Sequence, residues 1–183
     1  MNCLKESPVS DTQTAAPQIP PEVAAYMRGP TEEALQFEFL IGDWRVDGRR
    51  FGPNGELQYA GRWSAQYLYD KRMVMDQFTT SGPSGQDIAA FTTLRTFSPF
   101  TKRWEIAGMA AMQPAINGKW FGHYVDGEMH LEAEGFGPNG QPFKSRIRFF
   151  EIESNCFKWE NHVSLDGGDT WMKAASLVAT RVV

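Results

Sequence analysis

Cysteine is almost absent from this chain: among 183 residues there are two, Cys3 and Cys156, far apart in sequence. That count excludes a disulfide framework. Histidine is nearly as scarce, and His123, His130 and His162 stand at no metal-type spacing from cysteine or aspartate. No glycine-rich phosphate loop leads into a helix and no nucleophile elbow occurs, so the familiar catalytic signatures are missing. Uncharged apolar runs fall far short of a membrane span, which argues against a membrane partner. Residues 1–16 lack the apolar core of a signal peptide, so cytoplasmic residence is the expectation. The 18 basic and 22 acidic residues are spread along the chain, for a net charge of −4 and no basic block. A nucleic-acid partner is therefore not expected.

What is present fits one domain with a substantial core and room for an interior cavity. Residues 1–30 are rich in Pro, Ser, Thr and Gln and read as a flexible N-terminal arm, with a short helix starting at Pro20-Pro21. The folded domain is expected over 31–183. A second short helix is predicted from Thr31, capped by that residue, with Glu32 and Glu33 in its first turn. Leu35, Phe39 and Leu40 supply its apolar stripe, and Gly42 ends it.

From Trp44 onward the pattern becomes that of strands. Ten are predicted: 44–51, 57–69, 72–80, 87–97, 102–112, 119–125, 128–136, 142–153, 156–164 and 171–181. Turn-forming pairs separate them, among them Asn54-Gly55, Asn117-Gly118, Asp126-Gly127 and Asn139-Gly140. Asp166-Gly167 reads as another tight hairpin turn. Short connections pair neighbouring strands in sequence order, and a ten-stranded meander escapes exposed edges by closing. The expected fold is all-β: a ten-stranded antiparallel up-and-down barrel with one or two short N-terminal helices.

Alternation assigns faces. Phe143, Ser145, Ile147 and Phe149 share one face against Lys144, Arg146 and Arg148. Phe157, Trp159, Asn161 and Val163 oppose Lys158, Glu160 and His162, and Met129, Leu131 and Ala133 oppose Glu128, His130 and Glu132. Tyr59, Trp63, Tyr67 and Tyr69 line up on the second strand, and Trp120, Gly122 and Tyr124 on the sixth. On the third, Met73, Met75, Gln77 and Thr79 are placed inward, opposite Val74, Asp76 and Phe78.

Several segments together resemble a large family of bacterial domains of unknown function with a calycin-like barrel. They are Phe39-Leu40-Ile41-Gly42-Asp43-Trp44, Arg72-Met73-Val74-Met75-Asp76, Arg95-Thr96-Phe97-Ser98-Pro99, Phe157-Lys158-Trp159, and Ser164 through Trp171. The resemblance spans about residues 35 to 182. It implies an architecture related to lipocalins, fatty-acid-binding proteins and haem-binding nitrobindins, with Trp44 plugging one barrel end and the opposite mouth left as the entrance. Val46 breaks the glycine pattern of the haem-binding branch and His162 reads outward, which disfavours haem.

An apolar interior with a few convergent polar groups suits a small ligand. The expected function is binding of a small, mostly apolar molecule in the barrel, with Trp63, Met75, Gln77, Ser145, Phe149, Trp159 and Asn161 around it. The alternative is a cofactor-independent isomerase, lyase or cyclase using Tyr67, Tyr124 or Asp76 as proton donor or acceptor. No metal and no cofactor is called for. Asp76 and Arg95 are expected to form a structural ion pair. A third reading is a homodimer formed through an outer face carrying Phe78, Phe91 and Phe97.

Overall fold

A computed structural model of the chain describes residues 18–27, 32–111, 115–136 and 140–182. Most of the N-terminal arm, Met112 and the turn at 137–139 lie outside the described residues. A short helix, α1 (Pro21–Met27), opens the described chain and is followed by a 3-10 helix over Glu32–Leu40. Ten strands follow: β1 (Gly42–Gly52), β2 (Gly55–Leu68), β3 (Met73–Ser81), β4 (Asp87–Ser98) and β5 (Arg103–Ala110), then β6 (Ala115–Val125), β7 (Glu128–Phe136), β8 (Pro142–Phe150), β9 (Cys156–Ser164) and β10 (Met172–Arg181). Each pairs antiparallel with its sequence neighbours, and β10 returns to β1 to close the barrel. The up-and-down closed topology is the one the turn grammar predicts.

Turn chemistry explains the register. Val125 pairs with Glu128 across Asp126 and Gly127, both at positive φ (51° and 83°), so this hairpin has the twist its strands require. Asp166-Gly167 does not form such a turn. β9 ends at Ser164 and β10 begins at Met172, and the loop between them folds around the Asp166 carboxylate. That carboxylate accepts the Ser164 hydroxyl (2.7 Å) and the Thr170 backbone N–H (3.0 Å). These bonds, Ser164's first, hold the Asp166 carboxyl well below the usual carboxylate range. The Gly168 N–H in turn donates to Ser164 Oγ (2.8 Å), and Trp171 Nε1 donates to the Gly168 carbonyl (3.0 Å).

The 3-10 helix seals one end of the barrel. With three residues per turn its buried stripe is Ala34, Phe37 and Leu40, whereas Leu35 lies exposed. Of the stripe expected at Leu35, Phe39 and Leu40, Leu40 is buried and Phe39 packs against the core, and the tighter period corrects only Leu35. Phe37 meets the Trp104 ring edge-on at 4.6 Å, and Phe39 packs on Phe149 and Phe157. Trp44 is buried as the expected plug, and its indole donates to the Leu40 carbonyl at 2.8 Å. Arg181 clamps this end from outside. It lies over the Trp44 ring at 4.1 Å and donates to the Ile41 and Ser154 carbonyls (2.8 and 2.7 Å).

Phe37 has no exposed surface and bridges the plug to the barrel. Phe37→Ala should therefore destabilise the fold by about 3–5 kcal/mol, the cost of a large-to-small change in a packed core, read from the urea unfolding midpoint.

Candidate functional site

The third strand carries the main correction to the expected interior. Val74, Asp76 and Thr80 are buried and Phe78 packs on Trp63 at 5.0 Å, while Gln77 and Thr79 are exposed. Met75 and Gln77 thus lie on the outer face. The inward set is the alternate one because Asp76 pairs with inward partners: Ala65 on β2 and Thr93 on β4. On β4 the same phase turns Phe91, Thr93, Arg95 and Phe97 inward. Phe78 and Phe97 belong to the aromatic core and not to an outer apolar patch.

At the centre of the floor sits a buried ion pair. Arg95 Nε donates to Asp76 Oδ2 at 2.6 Å, with both side chains about 95% or more buried (5% and 2% exposed). Trp63 Nε1 donates to Asp76 Oδ1 at 2.8 Å, and the Thr93 hydroxyl donates to Oδ2. Both carboxylate oxygens are thereby committed to donors. The guanidinium lies 4.7 Å from the Phe37 ring centroid and 5.7 Å from that of Phe149. Its Nη1 is buried without an acceptor, so the flanking π faces are what offset the charge there. Thr93, Arg95 and Thr80 were not foreseen as interior groups. The usable signal was the inward run of β4, in which an arginine reads as outward until an acid is placed inward on the neighbouring strand.

The remaining polar candidates separate into two places. Ser145 is buried and donates to Asn161 Oδ1 at 2.7 Å. Trp159 lies beside them on β9, half-buried, with Phe143 and Ile147 on the inward face of β8 in the same condition. Phe149, with 1% exposure, and Trp63 form the floor below, 5.6 Å apart. Tyr67 and Tyr124 instead stand at the plugged end, at the last turn of β2 and beside the β6–β7 hairpin. The Tyr67 ring lies under Lys71 at 5.4 Å, and its hydroxyl has no hydrogen-bond partner among the described residues. Burial, with Glu38 adding to it, pushes the Tyr67 phenol up to about 12. Tyr59 is also raised to about 12 by burial, partly opposed by Arg50, whose guanidinium lies 5.8 Å over the ring. Tyr69, expected inward, is exposed in the turn.

All three histidines lie on the outer wall. His123 pairs with His130 across β6 and β7, and His162 pairs with Arg146 across β9 and β8. A depression of about 630 Å³ covers this wall, lined by Phe121, His123, Glu132, Lys144, Arg146 and Trp171 among others. Among the described residues no three His, Cys, Asp or Glu groups are placed to hold a metal ion. No helix of the described chain is long and apolar enough to cross a membrane.

The fold is a closed ten-stranded antiparallel up-and-down barrel. Several solved structures are similar to it, two of them as follows. One is Rv2717c from M. tuberculosis, with a TM-score of 0.60 and 14% identity over 84% of this chain and 100% of that one. The other is the S-type phycobiliprotein lyase CPES from Guillardia theta, with a TM-score of 0.57 and 10% identity over 84% and 99%. No family model and no curated protein matches the sequence. At such identities the likeness concerns the fold.

Arg95→Met would leave the Asp76 charge buried without its cation. It should cost about 3–5 kcal/mol in urea unfolding, with the double variant Asp76→Asn/Arg95→Met recovering at least half of that. The tyrosines supply a pH prediction. Well below pH 10 Tyr59 and Tyr67 are neutral in both folded and unfolded chains and their burial carries no linkage. Above that the unfolded phenols ionise first, so stability should fall as pH rises from the ordinary phenol value of 10.0 towards about 12. Absorbance at the phenolate band, followed with far-ultraviolet dichroism, should show two of the five tyrosines ionising only as the sheet is lost.

Proposed function

We propose that the barrel binds a small, mostly apolar molecule in its interior, with Asn161 and Ser145 orienting it and Trp159 lying along it. Phe149 and Trp63 would form the floor on which it rests. The supporting observation is the Ser145–Asn161 hydrogen bond set among inward-facing aromatic and aliphatic side chains that retain solvent exposure. An interior filled for stability alone hides such groups completed and dry. An apolar lining with a few oriented polar groups is how small-molecule sites are built. Met75 and Gln77, on the outer face, drop out of the site. The resemblance to a bacterial family of unknown function, and cytoplasmic residence, remain part of this reading.

Turnover without a cofactor is the second reading, and the lyase among the similar structures keeps it in view. It is the weaker one. Asp76 has both oxygens committed to donors, and burial keeps Tyr67 protonated to about 12. Tyr124 stands with Tyr67 at the plugged end and away from the Ser145–Asn161 pair.

Native mass spectrometry of the purified protein, followed by titration with the neutral fluorophore N-phenyl-1-naphthylamine, tests the proposal. Saturable one-to-one binding is expected. Trp159→Ala should weaken it about tenfold, or about 1.4 kcal/mol, and Asn161→Ala about fivefold. Gln77→Ala should leave it unchanged. Fluorescence that rises without saturation, or that is indifferent to Trp159, would sink the interior site.

A further inference from the structure

The barrel wall is not zipped evenly. Between β6 and β7 the ladder runs from Val125↔Glu128 to Phe121↔Glu132 and stops there. Both strands go on. β6 continues against β5, with Trp120, Lys119 and Gly118 opposite Ile106, Ala107 and Gly108. β7 continues against β8, with Ala133, Glu134 and Gly135 opposite Ser145, Lys144 and Phe143. Each strand keeps its far neighbour, while among the described residues the two exchange no further ladder pair with one another. At ~3.3 Å per residue, the unpaired stretch of four β7 residues, Ala133–Phe136, is about 13 Å long.

Two features distinguish β6 along the seam. The β5–β6 register shifts between Gly108 and Met109, which bends the upper part of β6. Trp120 then lies flat over Gly108 and Gly118, where a Cβ at either position would overlap its ring. The space beside Gly135, an exposed residue, is open. A Cβ added at Gly135 meets nothing within 4 Å, whereas one at Gly48, Gly61 or Gly122 strikes neighbouring atoms. Exposure follows the same division. Trp120, Ala133, Phe143 and Ile147 face inward yet keep solvent contact, while Val46, Tyr59, Val74 and Thr80 on the opposite wall are buried. Outside, the 630 Å³ depression reaches the foot of the seam, with Phe121 on one side and Ala133 and Glu134 on the other.

We propose that this β6–β7 seam is the entrance for the interior ligand, a lateral portal that admits a narrow apolar molecule between two strands. The proposal rests on the interior-binding reading above. Unpaired backbone in a closed barrel forgoes hydrogen bonds that the same residues would make by zipping. Here the cost falls beside the half-open part of the lining. The seam leads to Trp120, Phe143 and the Ser145–Asn161 pair, and the depression outside offers an aromatic landing surface in Phe121.

The test uses the full chain with Cys3→Ser and Cys156→Ser as background. Lys119→Cys and Glu134→Cys lie two residues beyond the last ladder pair, Phe121↔Glu132, on exposed outer positions. Joining them with bis-maleimidoethane spans the seam. Stopped-flow uptake of N-phenyl-1-naphthylamine should slow at least tenfold in the linked protein, while its equilibrium affinity changes less than threefold. Gly135→Phe, which places a ring in the empty space, should slow uptake at least tenfold with an unchanged urea midpoint, and it decides the matter alone if linking fails. Uptake at the unmodified rate in the linked protein or in Gly135→Phe overturns the portal and leaves the interior site standing. A probe that never binds the unmodified protein overturns both.

Discussion

The Asp76–Arg95 pair constrains more of this molecule than any other contact. A carboxylate and a guanidinium taken out of water lose several kcal/mol of hydration each, and their attraction repays this only where geometry and extra hydrogen bonds are good. Trp63, Thr93 and the faces of Phe37 and Phe149 supply those extras. The pair thereby fixes the phase of β3 and β4, since a one-residue slip would carry both charges to the outside and Gln77 to the core. It also fixes the plug, because Phe37 of the 3-10 helix is one of the rings against which Arg95 rests. Closure of the barrel end and facing of two strands are thus consequences of one buried charge pair.

Much of this architecture was legible in the sequence. Turn pairs such as Asp126-Gly127 and the alternation of β7, β8 and β9 gave strand number, order and inward faces, because charged residues there sit cleanly opposite apolar ones. β3 was not legible. Its two faces read Met-Met-Gln-Thr and Val-Asp-Phe-Thr, and a rule that sends carboxylates outward chooses the wrong one. What overrides it is a partner on β4, far away in sequence. The plug helix misled for a different reason. A 3.6-residue period selects Leu35, and a three-residue period replaces it with Ala34 and Phe37. The Asp166 loop failed as a hairpin because its carboxylate found Ser164 and Thr170, a local competition that dipeptide preferences do not weigh.

The candidate site was only half legible. Ser145, Asn161 and Trp159 were found because their strands alternate well. Tyr67 and Tyr124 were grouped with them because alternation reports a face and not a height along the barrel. Strand tilt then places residues of one face at opposite ends. Glycine was the least readable signal of all. Gly118 and Gly135 look alike in sequence, yet one makes room for the Trp120 ring and the other borders empty space.

The barrel is therefore two objects on one sheet. Towards the plug, rings from β1 to β5, β8 and β9 meet the 3-10 helix and enclose a charge that tolerates no solvent. Towards the far end, inward side chains of β6 to β9 keep some solvent exposure, carry a small polar pair, and border the place where the ladder is left open. Stability needs the first part to be rigid and complete, and it does not need the second to be. Wherever a fold this well closed leaves backbone unpaired beside an under-filled lining, core packing has been satisfied elsewhere. The residues there are then free to answer to something that enters and leaves.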